Sequence, residues 1–294
     1  MVAVPGNGQL LLREDPPELA RARGWVLLVH GLGGSSDRPG VRRLALALLA
    51  EGFGVWRLNL RGAGAGRDLA QGTYAAACNG DLLPVLAAAR QRAAGLPLLA
   101  VGLSMGGTVL LNAVLEQPEG LDALACVSSP LDLAACAEQI DAPRNRLYQR
   151  VLLRGLIQQT LADRQSQLSP AALGSIRSIR QFDAAVTVPR WNYSTVDHYY
   201  QQASPLEPLR RGEAVPPTLL IHAQDDPWVP VAGVLTLRER SPAGLEFCLP
   251  RQGGHNGFHA VGDRREGFDQ ADAGRRASWA DRCVVGWLAH RSGR

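Results

Sequence analysis

The sequence predicts an α/β fold: a mostly parallel central sheet flanked by helices and interrupted by a helical cap insertion. Three observations predict it. Short, nearly all-apolar runs alternate with helix-like runs between Trp25 and Val127, the pattern of strands buried on both faces and joined by crossover helices. The alternation stops between residues 131 and 214 and resumes at Thr218. Lastly, the glycine-rich turn Gly102-Leu103-Ser104-Met105-Gly106-Gly107 separates an apolar run, Leu96 to Val101, from a helix-like run, Thr108 to Leu115. A strand that turns sharply into a helix needs such a turn.

The elements follow in order. Residues 1 to 23 are polar, with Gln9 to Arg13 reading as an edge strand. Trp25 to His30 is the first buried strand and runs into the loop His30-Gly31-Leu32-Gly33-Gly34-Ser35-Ser36. Arg42 to Ala50 reads as a helix closed by Gly52, and Val55 to Leu60 as a second buried strand. Asp81 to Ala94 has helical spacing, with Asp81 as N-cap and Pro84 in the tolerated first turn. The strand, turn and helix around Ser104 come next, then the strand Leu121 to Val127. Leu147 to Ile157, Ser175 to Phe182 and Asp197 to Ala203 read as helices of the insertion. Thr218 to Ala223 and Gly244 to Leu249 resume the strands, and Ala271 to His290 closes the chain as a helix. This gives a core of residues 1–130 and 215–294 and a helical cap of residues 131–214.

The bulk properties narrow the class. Hydrophobic content of 46% in 294 residues supports a substantial core. The formal charge is +4, and all 31 basic residues are arginine. They are scattered rather than blocked, which argues against a nucleic-acid surface. Five widely spaced cysteines without a C-x-x-C pattern suit free thiols in a reducing compartment. Met1 to Leu12 lacks the basic start and apolar stretch of a signal peptide, and runs such as Leu44 to Ala50 are too short to span a bilayer. The expectation is a soluble cytoplasmic protein, with peripheral membrane contact and oligomeric state left open.

The chemistry is read from three strand ends. Ser104 stands at the apex of the Gly-x-Ser-x-Gly turn, Asp226 follows the Thr218 strand in Gln224-Asp225-Asp226-Pro227, and His255 follows the Gly244 strand in Gly253-Gly254-His255-Asn256. In an open parallel sheet the C-terminal strand ends line one edge, so residues far apart in sequence meet there. The order Ser…Asp…His is that of the α/β-hydrolase fold. Ser104 needs a base to become a nucleophile, His255 supplies it, and Asp226 fixes the imidazole tautomer. Backbone N–H groups of Leu32 and Met105 are the expected oxyanion donors. Asp226 is preferred to Asp225 because it stands four residues before Pro230, a spacing common in this fold; Asp225 would cap the following turn. His259 is a rival base without flanking glycines. His30 reads as structural, and His198 and His222 as surface or packing residues. None has a neighbouring ligand at metal spacing, so neither a metal nor another cofactor is expected. Gly62 to Gly66 lacks the Lys-Ser/Thr of a phosphate loop and reads as a flexible loop, headed by a structural Arg61.

These motifs resemble the YheT-like subfamily of the α/β-hydrolase fold, esterases related to the animal abhydrolase-domain lipases. The resemblance covers about residues 20 to 290 and rests on HGLGGSS (His30 to Ser36), NLRG (Asn59 to Gly62), GLSMGG (Gly102 to Gly107), AQDDPWVP (Ala223 to Pro230) and GGHNGF (Gly253 to Phe258). Three insertion segments are also similar: NRLYQRVLLRGL from Asn145, IRSIRQFDAAVT from Ile176 and DHYYQQASPLEPL from Asp197. Ser104, Asp226 and His255 fall on the group's triad positions. Two departures stand out: the animal relatives carry an N-terminal membrane anchor that this sequence does not show, and Ala63 follows Arg61-Gly62 where Cys or Ser is usual. The resemblance implies carboxylic-ester hydrolysis, with a small-molecule ester or lipid as substrate and an acyl-enzyme on Ser104. Leu152, Leu156, Trp191, Tyr199 and Tyr200 of the insertion are candidates to cover an acyl pocket, against simple packing on the core. Acyl transfer to an alcohol or thiol uses the same residues and is the alternative; a non-catalytic binding module is the third reading. No substrate-binding residue is assigned from sequence.

Overall fold

A computed structural model describes residues 1–17, 22–163, 166, 168–258 and 277–293. Its sheet has eight strands: β1 (Val2–Val4), β2 (Gly8–Asp15), β3 (Trp25–Val29), β4 (Gly54–Asn59), β5 (Leu98–Leu103), β6 (Ala123–Val127), β7 (Thr218–Ile221) and β8 (Leu245–Cys248). The order across it is β1-β2-β4-β3-β5-β6-β7-β8. The pairs β1–β2 and β2–β4 are antiparallel, and every other pair is parallel. The parallel strands β3, β5, β6 and β7 are buried almost throughout, whereas β2 alternates buried and exposed residues. That contrast follows from cover: helices shield both faces of the centre, while the antiparallel margin wets one face.

Helices α1 (Pro39–Ala50), α2 (Asn79–Ala93) and α3 (Met105–Glu116) lie between the strands of the first half, with α11 (Ala232–Arg240) and α12 (Trp279–Arg291) in the second. One apolar cluster joins α1 and α12 to one face of the sheet through residues such as Leu44, Leu48, Val284 and Leu288. A second joins α2, α3 and α11 to the other face through Leu82, Val109, Val234 and Leu237. Between β6 and β7 the described chain is helical: α4 (Leu133–Asp141), α5 (Arg146–Leu161), α6 (Pro170–Gly174), α7 (Ile179–Phe182), a π-helical turn over Asp183–Thr187, α8 (Val188–Arg190), α9 (Val196–Ala203) and α10 (Leu206–Arg210). These helices have apolar clusters of their own, which also take in Leu32 and Val229 from loops at the C-terminal edge of the sheet and Met105 from the start of α3.

Three details depart from the sequence reading. The edge strand is β1, not the segment around Gln9, which is the second strand in; three residues are too few to show periodicity. Asp81 is not the N-cap of α2, which begins at Asn79. Its carboxylate instead receives two bonds from the Arg61 guanidinium, at 2.6 and 2.7 Å, and both side chains are buried. Arg61 also donates to the carbonyls of Pro5 and Gln71, so it ties the β1–β2 turn to α2. The glycine run after it is a packed turn leading into a 3₁₀ helix over Gly64–Leu69 rather than a free loop. The last helix is described from Trp279, so the expected start at Ala271 lies outside the described residues, as does His259. All five cysteines are free thiols.

His30, at the end of β3, shows how the core dictates a protonation state. Its ring is buried; Nδ1–H donates to the Gly31 carbonyl at 2.8 Å and Nε2 accepts from the Leu60 N–H at 3.3 Å. Both contacts suit the neutral imidazole. Burial, with Arg38 nearby as a smaller contribution, lowers its pKa to about 4 against the partial opposition of the Gly31 bond. The folded chain therefore refuses a proton that the unfolded chain takes up near pH 6.5, so stability is full above that value and falls as the pH drops toward 4. Denaturant unfolding at pH 7 and pH 5 is expected to show about 2 kcal/mol of this loss in the wild type. His30→Gln, which keeps a donor and an acceptor but does not titrate, should lack that component; an unchanged pH slope in the variant would sink the assignment.

Candidate active site

Ser104 sits where β5 turns into α3, with φ 52° and ψ −124°. A non-glycine residue in this region is strained. The turn is forced by close approach: a Cβ on Gly106 would lie 2.3 Å from the Val29 carbonyl oxygen, and one on Gly102 would lie 2.3 Å from the Gly107 Cα. The Ser104 N–H donates to the Val127 carbonyl at 2.8 Å, and its carbonyl accepts from the Gly107 N–H at 2.9 Å. The strained backbone is thus bonded on both sides, and Met105 opens the helix directly behind the hydroxyl. N–H groups of a first helical turn lack intrahelical acceptors and carry the positive end of the helix dipole.

Asp226 follows β7 and His255 follows β8. The structure brings both to Ser104: His255 Nε2 is 2.9 Å from Ser104 Oγ, and His255 Nδ1 is 2.9 Å from Asp226 Oδ2. With the acid acting as acceptor, the neutral ring carries its proton on Nδ1, leaving Nε2 to accept from the serine hydroxyl. The Asp226 side chain is fully buried and that of His255 is 8% exposed. Burial works against the Asp226 charge. The hydrogen bond and charge of His255, then the N–H groups of Val229 and Trp228, outweigh it and hold the carboxyl below the usual carboxylate range.

The two adjacent acids divide the work differently from the sequence expectation. Asp226 itself caps the following turn, its Oδ1 accepting from Trp228 N–H at 2.9 Å and Val229 N–H at 3.0 Å. Asp225 points the other way and accepts from the N–H groups of Gly253 and Gly254 at 2.9 and 2.8 Å, shaping the loop that presents His255. His222 packs behind Asp226 and bonds the Val229 carbonyl through Nε2 at 3.0 Å. Its pKa is lowered, chiefly by burial. His198 lies on the surface beside Ser194.

Leu32 lies in the loop after β3, and its neighbours are fixed by a residue without a sequence signature. Tyr74 accepts from the Gly33 N–H at 2.9 Å and donates to the Gly31 carbonyl at 3.3 Å. Among the described residues neither the Leu32 nor the Met105 N–H donates to a protein acceptor. Leu32, Met105, Ser104 and His255 share one mainly apolar pocket, closed on its far side by insertion residues including Leu152, Leu156, Tyr199 and Tyr200. Trp191 does not line it; its indole N–H donates to the Thr73 carbonyl at 3.0 Å. Trp228 stacks on Tyr148 of α5, with ring centroids 3.4 Å apart and 6° between planes, and lies 4.8 Å from the His255 ring. Within the described residues no cluster of His, Cys, Asp or Glu is placed to hold a metal ion.

Known proteins share this arrangement of elements. Residues 20–259 match the family described as serine aminopeptidase, S33. Putative esterase YheT of Escherichia coli (strain K12) is 30% identical, over 83% of this chain and 73% of that protein. Phospholipase ABHD3 of Mus musculus is 29% identical over 81% of this chain, which spans 59% of that protein's length. The solved structure of Est1E from Butyrivibrio proteoclasticus with ferulic acid bound superposes with a TM-score of 0.63 at 13% identity, covering all of both chains, and shares the fold. The chain belongs to the serine aminopeptidase S33 family and is an esterase- and lipase-type α/β-hydrolase related to putative esterase YheT.

Proposed function

We propose that this protein is a serine carboxylic-ester hydrolase in which Ser104 is the nucleophile, His255 the general base and acid, and Asp226 the acid that orients the imidazole. The observation that carries the reading is the unbroken line of 2.9 Å contacts from Asp226 through His255 to Ser104. Ser104 Oγ attacks the ester carbonyl carbon as its proton passes to His255 Nε2. The resulting imidazolium is stabilised by the Asp226 carboxylate, which its contact with His255 and its two N–H donors keep ionised and aimed against the cost of burial. Negative charge on the former carbonyl oxygen falls between the N–H groups of Leu32 and Met105, where one preorganised donor contributes roughly 3 kcal/mol in comparable enzymes. His255 then protonates the leaving alcohol. Water, deprotonated by the same nitrogen, attacks the acyl-enzyme and returns Ser104.

The lining of the pocket supports an acyl group of short to medium length, or a lipid, on the side of Leu152 and Leu156. The names of the relatives, an esterase and a phospholipase, favour the same substrate class. Residues 131–214 act in this reading as a cap that excludes water from the acyl-enzyme, with Tyr148 pressing Trp228 toward His255.

Two measurements test the assignment. Ser104→Ala should lower turnover of a chromogenic short-chain ester at least about 10³-fold and should not be labelled by a fluorophosphonate probe, whereas the wild type is labelled once per chain. Equal rates, or labelling elsewhere, would remove Ser104 from the chemistry. Asp226→Asn should reduce kcat about 10⁴-fold by favouring the wrong imidazole tautomer. Asp225→Asn, whose amide oxygen still accepts from the loop N–H groups, should stay within about tenfold of wild type. The reverse order of effects would make Asp225 the acid.

A further inference from the structure

Helix α5 has three faces. Gln149, Leu153, Leu156 and Thr160 are buried inward, and Tyr148 and Leu152 turn toward the pocket. The third face lies in solvent, where Leu147 is 77% and Val151 71% exposed, the largest exposures of the large apolar side chains in the described residues. They stand one turn apart, and at 3.6 residues per turn Arg146, Arg150 and Arg154 fall with them inside an arc of about 140°. All three arginines are exposed. None has a carboxylate partner among the described residues, in contrast to Arg43, Arg57, Arg61, Arg90 and Arg291. The segment from 142 to 162 adds a fourth cation, Arg144, and contains no Asp or Glu.

Unpaired guanidiniums interleaved with protruding aliphatic side chains match one kind of surface better than any other. Arginine stems lie along acyl chains while their heads stay at the phosphates, and an in-plane helix of this type binds through apolar burial together with attraction to anionic lipid. Position adds a second argument. Val151 borders a cleft that reaches Leu152, Ser104 and His255, so the face opens beside the site.

We propose that the outer face of α5 seats the protein on an anionic phospholipid surface, with Leu147 and Val151 entering the interface and Arg146, Arg150 and Arg154 on the lipid phosphates. The proposal does not depend on the hydrolysis reading, and its test is run on the full chain carrying Ser104→Ala, so failure of one leaves the other standing. Sedimentation with phosphatidylcholine vesicles, with and without phosphatidylglycerol, should show binding only where phosphatidylglycerol is present, weakening several-fold as salt is raised. Leu147→Ser with Val151→Ser should lower the partition coefficient about tenfold or more. Arg146→Gln, Arg150→Gln and Arg154→Gln together should abolish the preference for anionic vesicles. Because the five side chains are exposed, both variants should keep the parent's thermal midpoint, which separates lost binding from lost fold. No sedimentation of the parent chain, or sedimentation that both variants retain, overturns the proposal. So does capture by immobilised polyglutamate without vesicle binding, which would assign the face to an acidic protein.

Discussion

The site depends on how closely β5, α3 and the end of β3 can approach one another. A Cβ on Gly31 would stand 3.1 Å from the Ser104 Cβ and 3.2 Å from the Leu103 carbonyl, and one on Gly106 would press into the Val29 and His30 carbonyls. Bare backbone on both sides brings the loop that carries Leu32 alongside the start of α3. The same clearance obliges Ser104 to take a left-handed φ, a strain of about 1–3 kcal/mol. That strain persists because the strands and helix around it are anchored in fully buried runs, Leu98 to Val101 and Val109 to Leu111. A looser packing would relieve Ser104 and at the same time separate the two N–H groups proposed to meet the oxyanion.

The electrostatics follow the same logic of assigned contacts. Asp226 gives one carboxylate oxygen to the turn that holds it and the other to His255. The charge therefore survives burial, and the acid cannot swing away from the imidazole. Asp225 would be a poor substitute despite its adjacency, since its Oδ1 is already engaged by two N–H groups of the histidine loop. The neighbouring acids thus position His255 from two directions, one through its ring and one through the backbone of its loop. His30 and His222 are imidazoles of the other kind, buried and bonded to carbonyls, with pKa lowered chiefly by desolvation.

Sequence reasoning reached the alternation of strands and helices in a mostly parallel sheet and the three convergent residues because those signals are local: apolar runs between glycine turns, and Ser104, Asp226 and His255 each just past a strand end. It failed where the deciding partner was distant. Nothing near Asp81 announces that Arg61, twenty residues earlier, takes its carboxylate away from the helix cap. Tyr74 has no motif, yet its hydroxyl bonds the loop that carries Leu32 from 43 residues away. The Asp225–Asp226 pair could be ranked by spacing to Pro230, but the actual split of their bonds depends on where the loop after β8 folds back. For Trp191 the sequence leaves pocket cover and packing on the core both open; its one polar atom bonds the Thr73 carbonyl, the packing outcome. The short edge strand β1 was missed because three residues carry too little pattern to distinguish from a polar leader.

Helix α5 joins these arguments into one. Its inward face belongs to an apolar cluster of the insertion that also takes in Val229, the residue whose N–H steadies Asp226. Its Tyr148 stacks on Trp228, and Trp228 abuts His255. Helix α5 is thus packed against the surroundings of both His255 and the Asp226 turn through intervening side chains. Apolar contacts of this kind are short-ranged and lose much of their attraction when a gap of under an ångström opens. Forces applied to the exposed face of α5, by a bilayer or by a substrate passing Val151, thus act on the same body that sets the spacing around His255. In the proposed reading, the cleft to Ser104 and the packing around His255 thus both border on one helix.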